Sequence, residues 1–273
     1  MQWAELTGDQ FAEAVAQSGG VCLVPLSVLE RHGHHLPLAT DMYIARELCR
    51  RAATREPAME FPDYIFTQIP EARHLAGTIS IDGDVMLRLL DNICREIARN
   101  GLKKIVLVNA HGGNHGLLSL FNMLQLAGPR DYVVYLVQPV EMMFGGTLET
   151  PWEPTSDGHA GPGETSMILA LRPDLVDMGR IPADDEGQAR NRLQALREAG
   201  VQTGIWWYAD HPTHYQGDAR LATRDAGEQL LETMADAIAR AVRAIKADDV
   251  TPRLQDAFHR AAAAPGSLIP DGD

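Results

Sequence analysis

Short apolar, β-branched runs alternate along this chain with stretches whose apolar residues recur at helical spacing. Continuous apolar runs at 21–26, 104–109 and 131–138 predict buried strands, because a strand covered on both faces needs no polar alternation. The runs at 61–68, which contains a proline, and at 203–208 are weaker strand candidates. This alternation is typical of an α/β fold with a mostly parallel sheet.

Amphipathic helices are predicted between the strands. The stretch 85–98 shows the pattern best, with Met86, Leu90 and Ile97 on one apolar stripe. The full predicted set comprises 42–53, 85–98, 115–126, 165–171, 184–198 and 227–247. Residues 140–158 are rich in Gly, Pro and Thr and predict a loop over a site.

One domain is expected at 1–250, because no repeat, low-complexity segment or shift in composition divides the chain. Residues 251–273 contain several prolines and predict a short, partly frayed tail. A compact chain of 273 residues buries roughly three-quarters of its unfolded surface, so its core needs no disulfides.

The composition indicates which binding partners and which cellular compartment to expect. The chain has 24 Lys and Arg against 37 Asp and Glu, a net charge of −13, and no basic stripe that would neutralise phosphates. We therefore expect neither a nucleic acid nor a membrane as partner, and no apolar run approaches the roughly 20 residues that span a bilayer. Three scattered cysteines and the absence of a signal-peptide pattern predict a cytoplasmic protein.

Common catalytic motifs are missing from the sequence. It contains no phosphate loop of the GxxxxGK[ST] type, no GxGxxG after a strand, no GxSxG and no HExxH. Nucleotide binding, serine hydrolysis and zincin-type proteolysis therefore lack their usual signatures.

Potential metal ligands follow the predicted strands instead. Glu30 and His32 come after the first strand and are two residues apart, so in extended backbone they point to the same side. Asp41 follows a turn that contains Gly and Pro, and His111 follows the strand at 104–109. The carboxyl edge of an open α/β sheet is where sites form, so we expect these residues to converge.

The segment after the third strand adds His159 and Glu164. Two imidazoles with two or three carboxylates form a mixed N/O set that favours Zn²⁺, Mn²⁺ or Fe²⁺ over Ca²⁺ or Mg²⁺. Asp41 has two oxygens and can bridge, so two divalent ions are predicted, sharing an activated water.

Each of these residues also has an ordinary structural interpretation. Asp41 could cap the helix that follows it, His111 could be a loop histidine beside a Gly-Gly turn, and Glu164 could be a first-turn acid. These interpretations do not predict that the residues fall at three successive strand ends, and the metal hypothesis does.

Other residues are candidates for substrate contact. Ser80 ends the Gly-Thr-Ile-Ser segment at 77–80, Trp152 lies in the predicted loop, and Asp157 precedes the His159 motif. His211 and His214, near aromatic residues, could line a pocket, although surface or interface packing is an equal alternative.

Three segments resemble the motifs of the creatininase (creatinine amidohydrolase) family: ERHGHHLPLATD at 30–41, NAHGGN at 109–114 and HAGPGETS at 159–166. GTIS at 77–80 and GDARLAT at 217–223 are also similar to family segments. The likeness runs in order over about residues 5–245.

The resemblance implies a three-layer α/β/α domain, a two-metal centre, a homo-oligomer and hydrolysis of a small amide C–N bond. By motif, Glu30 and His111 would bind the first metal and His32 the second. Asp41 would bridge the two, and Glu164 is the candidate for the remaining carboxylate, either as ligand or as proton shuttle.

The same resemblance makes His159 a substrate contact or a proton shuttle to the leaving nitrogen. The chain departs from the family pattern at several positions: Arg31, His34, Ala110, Pro162 and Gly163. Creatininase itself has an aromatic residue and a carboxylate where this chain has Gly112 and Gly113, so the substrate stays open.

The predicted function is a metal-dependent hydrolase that cleaves a C–N bond of a small amide, lactam or formamide with a two-metal-activated water. One alternative is a formamide deformylase that acts on a purine- or pyrimidine-derived substrate. The other is a catalytically silent metal-binding homologue, whose altered Pro162-Gly163 segment has lost the proton shuttle.

Overall fold

A parallel sheet forms the centre of the protein. The computed structural model describes residues 1–139, 142, 148–181 and 187–266. In these residues the sheet has four strands, in the spatial order β2-β1-β3-β4. They are β1 (Val21–Leu26), β2 (Met59–Glu60), β3 (Lys104–Asn109) and β4 (Val133–Val137).

The two central strands are paired along their whole length. The register of β1 and β3 runs from Val21 opposite Lys104 to Leu26 opposite Asn109. All six residues of β1 are buried, as expected for a strand that is covered on both faces. The pairing also brings the carboxyl ends of β1 and β3 to the same edge of the sheet.

Helices cover both faces of the sheet. Helices α2, α5 and α8 pack on one face, and α1, α3 and α4 on the other. This arrangement confirms the single-domain, three-layer α/β/α fold that the sequence predicts. The described helices are α1 (Gly8–Gln17), α2 (Thr40–Arg55), α3 (Gly83–Arg99), α4 (His115–Leu124), α5 (Pro162–Leu171), α6 (Gln194–Glu198), α7 (Trp206–Asp210), α8 (Arg224–Ala247) and α9 (Val250–Ala263). None of the helices in the described residues is both long enough and apolar enough to cross a membrane.

The long helix α8 is fixed at both ends. Thr223 caps its start, where the side-chain hydroxyl accepts a hydrogen bond from the Ala226 N–H. The Lys104 ammonium donates to the carbonyls of Ile245, Lys246 and Asp248 at 2.7 to 2.9 Å. This cation satisfies carbonyls that the end of the helix leaves without partners, at the amino end of β3.

Two predicted strands are wrong. The run 61–68 forms no strand: β2 ends at Glu60, and within the run Tyr64 forms only an isolated bridge to Leu26. In place of a strand at 203–208, the chain forms the short helix α7. Side chains such as Trp206, 55 % exposed, lie at the surface there and have no sheet to join.

Three other segments differ from expectation or lie partly outside the described residues. Of the predicted helix 184–198, the described part is helical at Gln194–Glu198, and 182–186 are not described. In the predicted loop, 142 and 148–158 are described. The expected frayed tail is instead α9 as far as Ala263, where the Gln255 amide donates to the carbonyls of Arg130 and Tyr132.

Gly227 on α8 is expected to be essential for packing against α5. A Cβ at Gly227 would lie 1.9 Å from the carbonyl oxygen of Ser166, so Gly227→Ala must push the two helices apart. Overpacking of this kind costs about 1–3 kcal/mol, and we expect at least that loss in the free energy of unfolding, measured with urea.

Gly116 in α4 is the matched control, because a Cβ there meets nothing within 4 Å. Gly116→Ala should leave the free energy of unfolding unchanged or raise it by roughly 0.5–1 kcal/mol. Equal effects of the two substitutions would contradict the close α5–α8 contact.

Candidate metal centre

Five of the predicted site residues meet at the carboxyl edge of the sheet. Glu30 and His32 follow β1, and His111 follows β3. Asp41 lies in the first turn of α2 and Glu164 in the first turn of α5. Each of these five residues is at most 5 % exposed, so the site is a buried cluster of acids and imidazoles.

Asp41 lies between the two imidazoles of the cluster. Its Oδ1 is 3.0 Å from Nε2 of His32, and its Oδ2 is 3.2 Å from Nδ1 of His111. Nδ1 of His111 also lies 2.8 Å from Oε1 of Glu30. The two oxygens of one carboxylate therefore face two separate groups of side chains.

Glu164 completes the group on the His32 side. Its Oε2 is 3.6 Å from Nε2 of His32 and accepts a hydrogen bond of 2.6 Å from the backbone N–H of Ala160. Ala160 has a positive φ of 56°, which turns this N–H toward the carboxylate. The motif at 159–166 thus bends so that its acid reaches the cluster.

Two further histidines border the cluster. The ring of His159 lies 4.3 Å from that of His32 and 4.2 Å from that of His214. Nε2 of His214 is 2.6 Å from Oε2 of Glu30. The side chain of His159 is 14 % exposed, more than any member of the cluster, so it lies where the cluster opens toward solvent.

The donor set fits divalent cations. Oε1 of Glu30 and Oδ2 of Asp41 are buried without a hydrogen bond, although each lies within 3.2 Å of His111 Nδ1. Buried carboxylate oxygens are costly unless a cation or a donor satisfies them. Three overlapping groups of side chains place their ligand atoms within 4.8 Å of one another: Glu30, Asp41 and His111; His32, His159 and Glu164; and Glu30, His159 and His214.

The acids and imidazoles of the cluster shift one another's pKa values. Burial lowers the pKa of His32, but the carboxylates of Asp41 and Glu164 outweigh it and raise the pKa to about 10. Burial also opposes protonation of His111, yet Glu30 and Asp41 hold its pKa well above the usual value. Burial raises the pKa of Glu164 to about 8, against the charge of His32. Without a cation, the imidazoles of His32 and His111 therefore carry the positive charge.

The segment after β3 is shaped to present His111. The amide of Asn109 donates to the His111 carbonyl at 2.8 Å, and the amide of Asn114 donates to the Asn109 side chain at 3.0 Å. A Cβ at Gly113 would lie 2.5 Å from Nε2 of His111 and 3.3 Å from Oε1 of Glu71. Glycine at this position therefore leaves room for the imidazole.

The three predicted substrate contacts have partners within the protein. Nε1 of Trp152 donates to Oδ2 of Asp157 at 3.1 Å, and Oδ1 of Asp157 accepts from the N–H groups of Gly158 and Gly163. The hydroxyl of Ser80 accepts a hydrogen bond from the Ile69 N–H. Trp152 and Asp157 thus brace the segment that carries His159.

The sequence does not decide between a pocket position and packing for His214, and the structure places it against the carboxylate of Glu30. The available signal was its position shortly after Trp207, within an aromatic segment of the chain. No spacing rule links His214 to Glu30, because 184 residues separate them.

A parallel α/β/α sheet with a buried cluster of histidines and acids at its carboxyl edge defines a metal-binding α/β protein. A sequence profile of the creatininase family, described as creatinine amidohydrolase, matches residues 4–242. Creatinine amidohydrolase of Pseudomonas putida is 28% identical over 258 residues, which cover 88% of this chain and 95% of that protein. The chain belongs to the creatininase family.

Other relatives agree with this membership. A mycofactocin precursor peptide peptidase of Mycobacterium ulcerans is 30% identical over 227 residues, which cover 78% of this chain and 81% of that protein. A crystal structure of creatinine amidohydrolase (creatininase) is 27% identical, covers 88% of this chain and 96% of its own, and has a TM-score of 0.72. The predicted class, a hydrolase of C–N bonds, is confirmed.

The metals of the solved relatives are manganese and zinc. A structure described as creatininase Mn is 26% identical, covers 89% of this chain and 97% of its own, and has a TM-score of 0.70. A creatininase variant of Zn-Zn type is 27% identical, covers 89% and 96%, and also has a TM-score of 0.70. Together with the clustered ligand atoms of this chain, these structures confirm the predicted divalent-metal cofactor.

Metal affinity is expected to rise with pH. Because the pKa of His32 is raised to about 10 and that of His111 lies well above its usual value, a cation must displace protons at neutral pH. Each displaced proton changes the apparent affinity about tenfold per pH unit, so Zn²⁺ should bind more tightly at pH 8 than at pH 6.

Calorimetric titration of the metal-stripped protein, in two buffers of different ionisation enthalpy, measures both the affinity and the protons released. An affinity that is flat between these pH values, with no proton release, would contradict the charge distribution described for the cluster.

Proposed function

We propose that the cluster holds two divalent cations and that the protein hydrolyses a C–N bond of a small amide, lactam or formamide. In this proposal Glu30 and His111 hold one cation, and His32 and Glu164 hold the other. Asp41 bridges the pair. The observation that carries the proposal is that the two oxygens of Asp41 face different imidazoles, at 3.0 and 3.2 Å.

When bound, a pair of divalent cations lowers the pKa of a water molecule and polarises a carbonyl oxygen, the activation that an unreactive C–N bond needs. The chain itself supplies a fixed frame. Burial and the backbone N–H of Ala160 orient Glu164, and the Asn109–Asn114 pair holds the segment of His111. These groups need little rearrangement during the reaction.

His159 is proposed as the group that moves the proton. Its Nε2 lies 2.8 Å from the Arg31 carbonyl, which can only accept, so Nε2 carries the hydrogen and Nδ1 keeps a lone pair. Burial, together with the imidazole of His32, holds the pKa of His159 well below its usual value. The ring is therefore neutral at neutral pH and can take a proton from water and pass it to the leaving nitrogen.

The glycines beside His111 bear on the choice of substrate. Gly112 and Gly113 are exposed beside His111 and carry no side chain, which leaves their backbone open to a ligand. These glycines favour a substrate other than creatinine, since creatininase has an aromatic residue and an acid there. Ser80 is the proposed direct substrate contact, while Trp152 and Asp157 shape the pocket indirectly by bracing the His159 segment.

The deformylase and the silent homologue use the same site and differ in turnover. Amides, lactams and formamides offered with Mn²⁺ or Zn²⁺ separate them. Turnover of formamides alone favours the deformylase, and tight metal binding without any turnover favours the silent homologue. A homo-oligomer and a cytoplasmic location stay predictions.

The number of divalent ions bound per chain tests whether Asp41 bridges two cations. The purified chain should carry two divalent ions, and Asp41→Asn should lose at least one of them, because a neutral amide is a poor bridge between cations. Elemental analysis of both proteins measures the loss. Asp84→Asn, on the exposed start of α3, is the control and should keep both ions. A wild-type chain with one ion or none would contradict the proposal.

The role of His159 is separable from metal binding. His159→Asn should retain both ions and reduce kcat about 10²- to 10⁴-fold, the usual contribution of a positioned proton donor or acceptor. His259→Asn, on the distant helix α9, should change neither quantity. If His159→Asn instead loses an ion, the residue is a ligand and not the proton carrier.

A further inference from the structure

His214 is held between an indole and a carboxylate. It is 2 % exposed and follows α7 in a left-handed conformation with a φ of 56°, which is uncommon for a residue other than glycine. Nε1 of Trp207 lies 2.7 Å from Nδ1 of His214, and Nε2 of His214 lies 2.6 Å from Oε2 of Glu30. The three side chains form a continuous hydrogen-bonded chain.

Elementary donor and acceptor rules fix the direction of these hydrogen bonds. An indole N–H can only donate, so Nδ1 of His214 must accept and carries no hydrogen. The remaining ring hydrogen therefore lies on Nε2, which donates to Oε2 of Glu30. Trp207 thus selects the neutral tautomer of His214 that can donate to this carboxylate.

This chain of hydrogen bonds leaves Glu30 one free oxygen. Oε2 is occupied by His214, while Oε1 is buried without a hydrogen bond and lies 2.8 Å from Nδ1 of His111. Nε2 of His214 carries a hydrogen and has no lone pair for a cation. His214 is therefore a support for the centre, and the proposed cation ligands remain Glu30, Asp41 and His111 on one side and His32 and Glu164 on the other.

We propose that Trp207 and His214 are positioning residues of the metal centre, which hold Glu30 so that only Oε1 faces the cation shared with His111 and Asp41. This inference rests on the proposed two-cation function and goes beyond it, since it assigns a task to the aromatic segment at 206–214. Hydrogen-bonded partners of ligands typically change metal affinity 10- to 100-fold.

Trp207→Phe is the test variant, because it removes the indole N–H and keeps an aromatic ring. Without that donor, His214 is free to place its hydrogen on Nδ1 and to stop donating to Glu30. Titration of the metal-stripped chain with Mn²⁺ and with Zn²⁺ should show one of two ions bound 10- to 100-fold more weakly. His214→Gln, which can still donate to Glu30, should bind more tightly than His214→Leu.

Trp206→Phe is the matched control, because Trp206 neighbours Trp207 and is 55 % exposed. The affinities of Trp206→Phe for the two metal ions should equal those of the wild type. Thermal melts with and without metal separate positioning from folding. If Trp207 is a positioning residue, metal-free Trp207→Phe should have the same Tm as the metal-free wild type. Added metal should raise the Tm of the variant by less than it raises that of the wild type.

Three results would overturn the inference. A wild-type chain that binds two ions, with unchanged affinities in Trp207→Phe, leaves the proposed function intact and removes the positioning role. An equal loss of Tm in the metal-free and metal-loaded variant makes Trp207 a packing residue only. A wild-type chain that binds no ion at all removes both the inference and the proposed function.

Discussion

The buried centre depends on the contacts of the Asp41 carboxylate with His32 and His111. The carboxylate lies between two imidazoles from different strand ends, and all three side chains are almost fully buried. Charged groups in such surroundings are stable only as a balanced set, and the loss of one partner from a buried pair typically costs about 3–5 kcal/mol. The first turn of α2 suits this acid, since the helix dipole favours negative charge there.

The strands, the helices and the loops make different contributions to the candidate metal centre. The paired strands β1 and β3 fix the spacing of the segments that carry Glu30 and His111. Two of the acids, Asp41 and Glu164, come from the first turns of α2 and α5. Long-range contacts from loops, such as that of His214 to Glu30, then orient what the sheet has placed.

Local patterns in the sequence predict a large part of this arrangement. The strands at 21–26 and 104–109 follow from continuous apolar runs, and the clustering of the acids and histidines after them follows from their position at the sheet edge. The link from Trp207 through His214 to Glu30 could not be predicted in this way, because it depends on a left-handed residue and on a carboxylate 184 residues away in sequence. Apolar residues near Trp207 suggested a strand, and they form a short surface helix instead.

The close packing of α8 against α5 connects the hydrophobic core with the candidate metal centre. The Thr223 N–H at the start of α8 donates to the hydroxyl of Ser166, and Glu164 lies two residues earlier on the same helix as Ser166. One helix therefore carries both a share of the main core and one of the proposed cation ligands. Because ligands that bind only the native state stabilise it by an amount that grows with their concentration, divalent cations at the proposed centre would also strengthen this part of the core against unfolding.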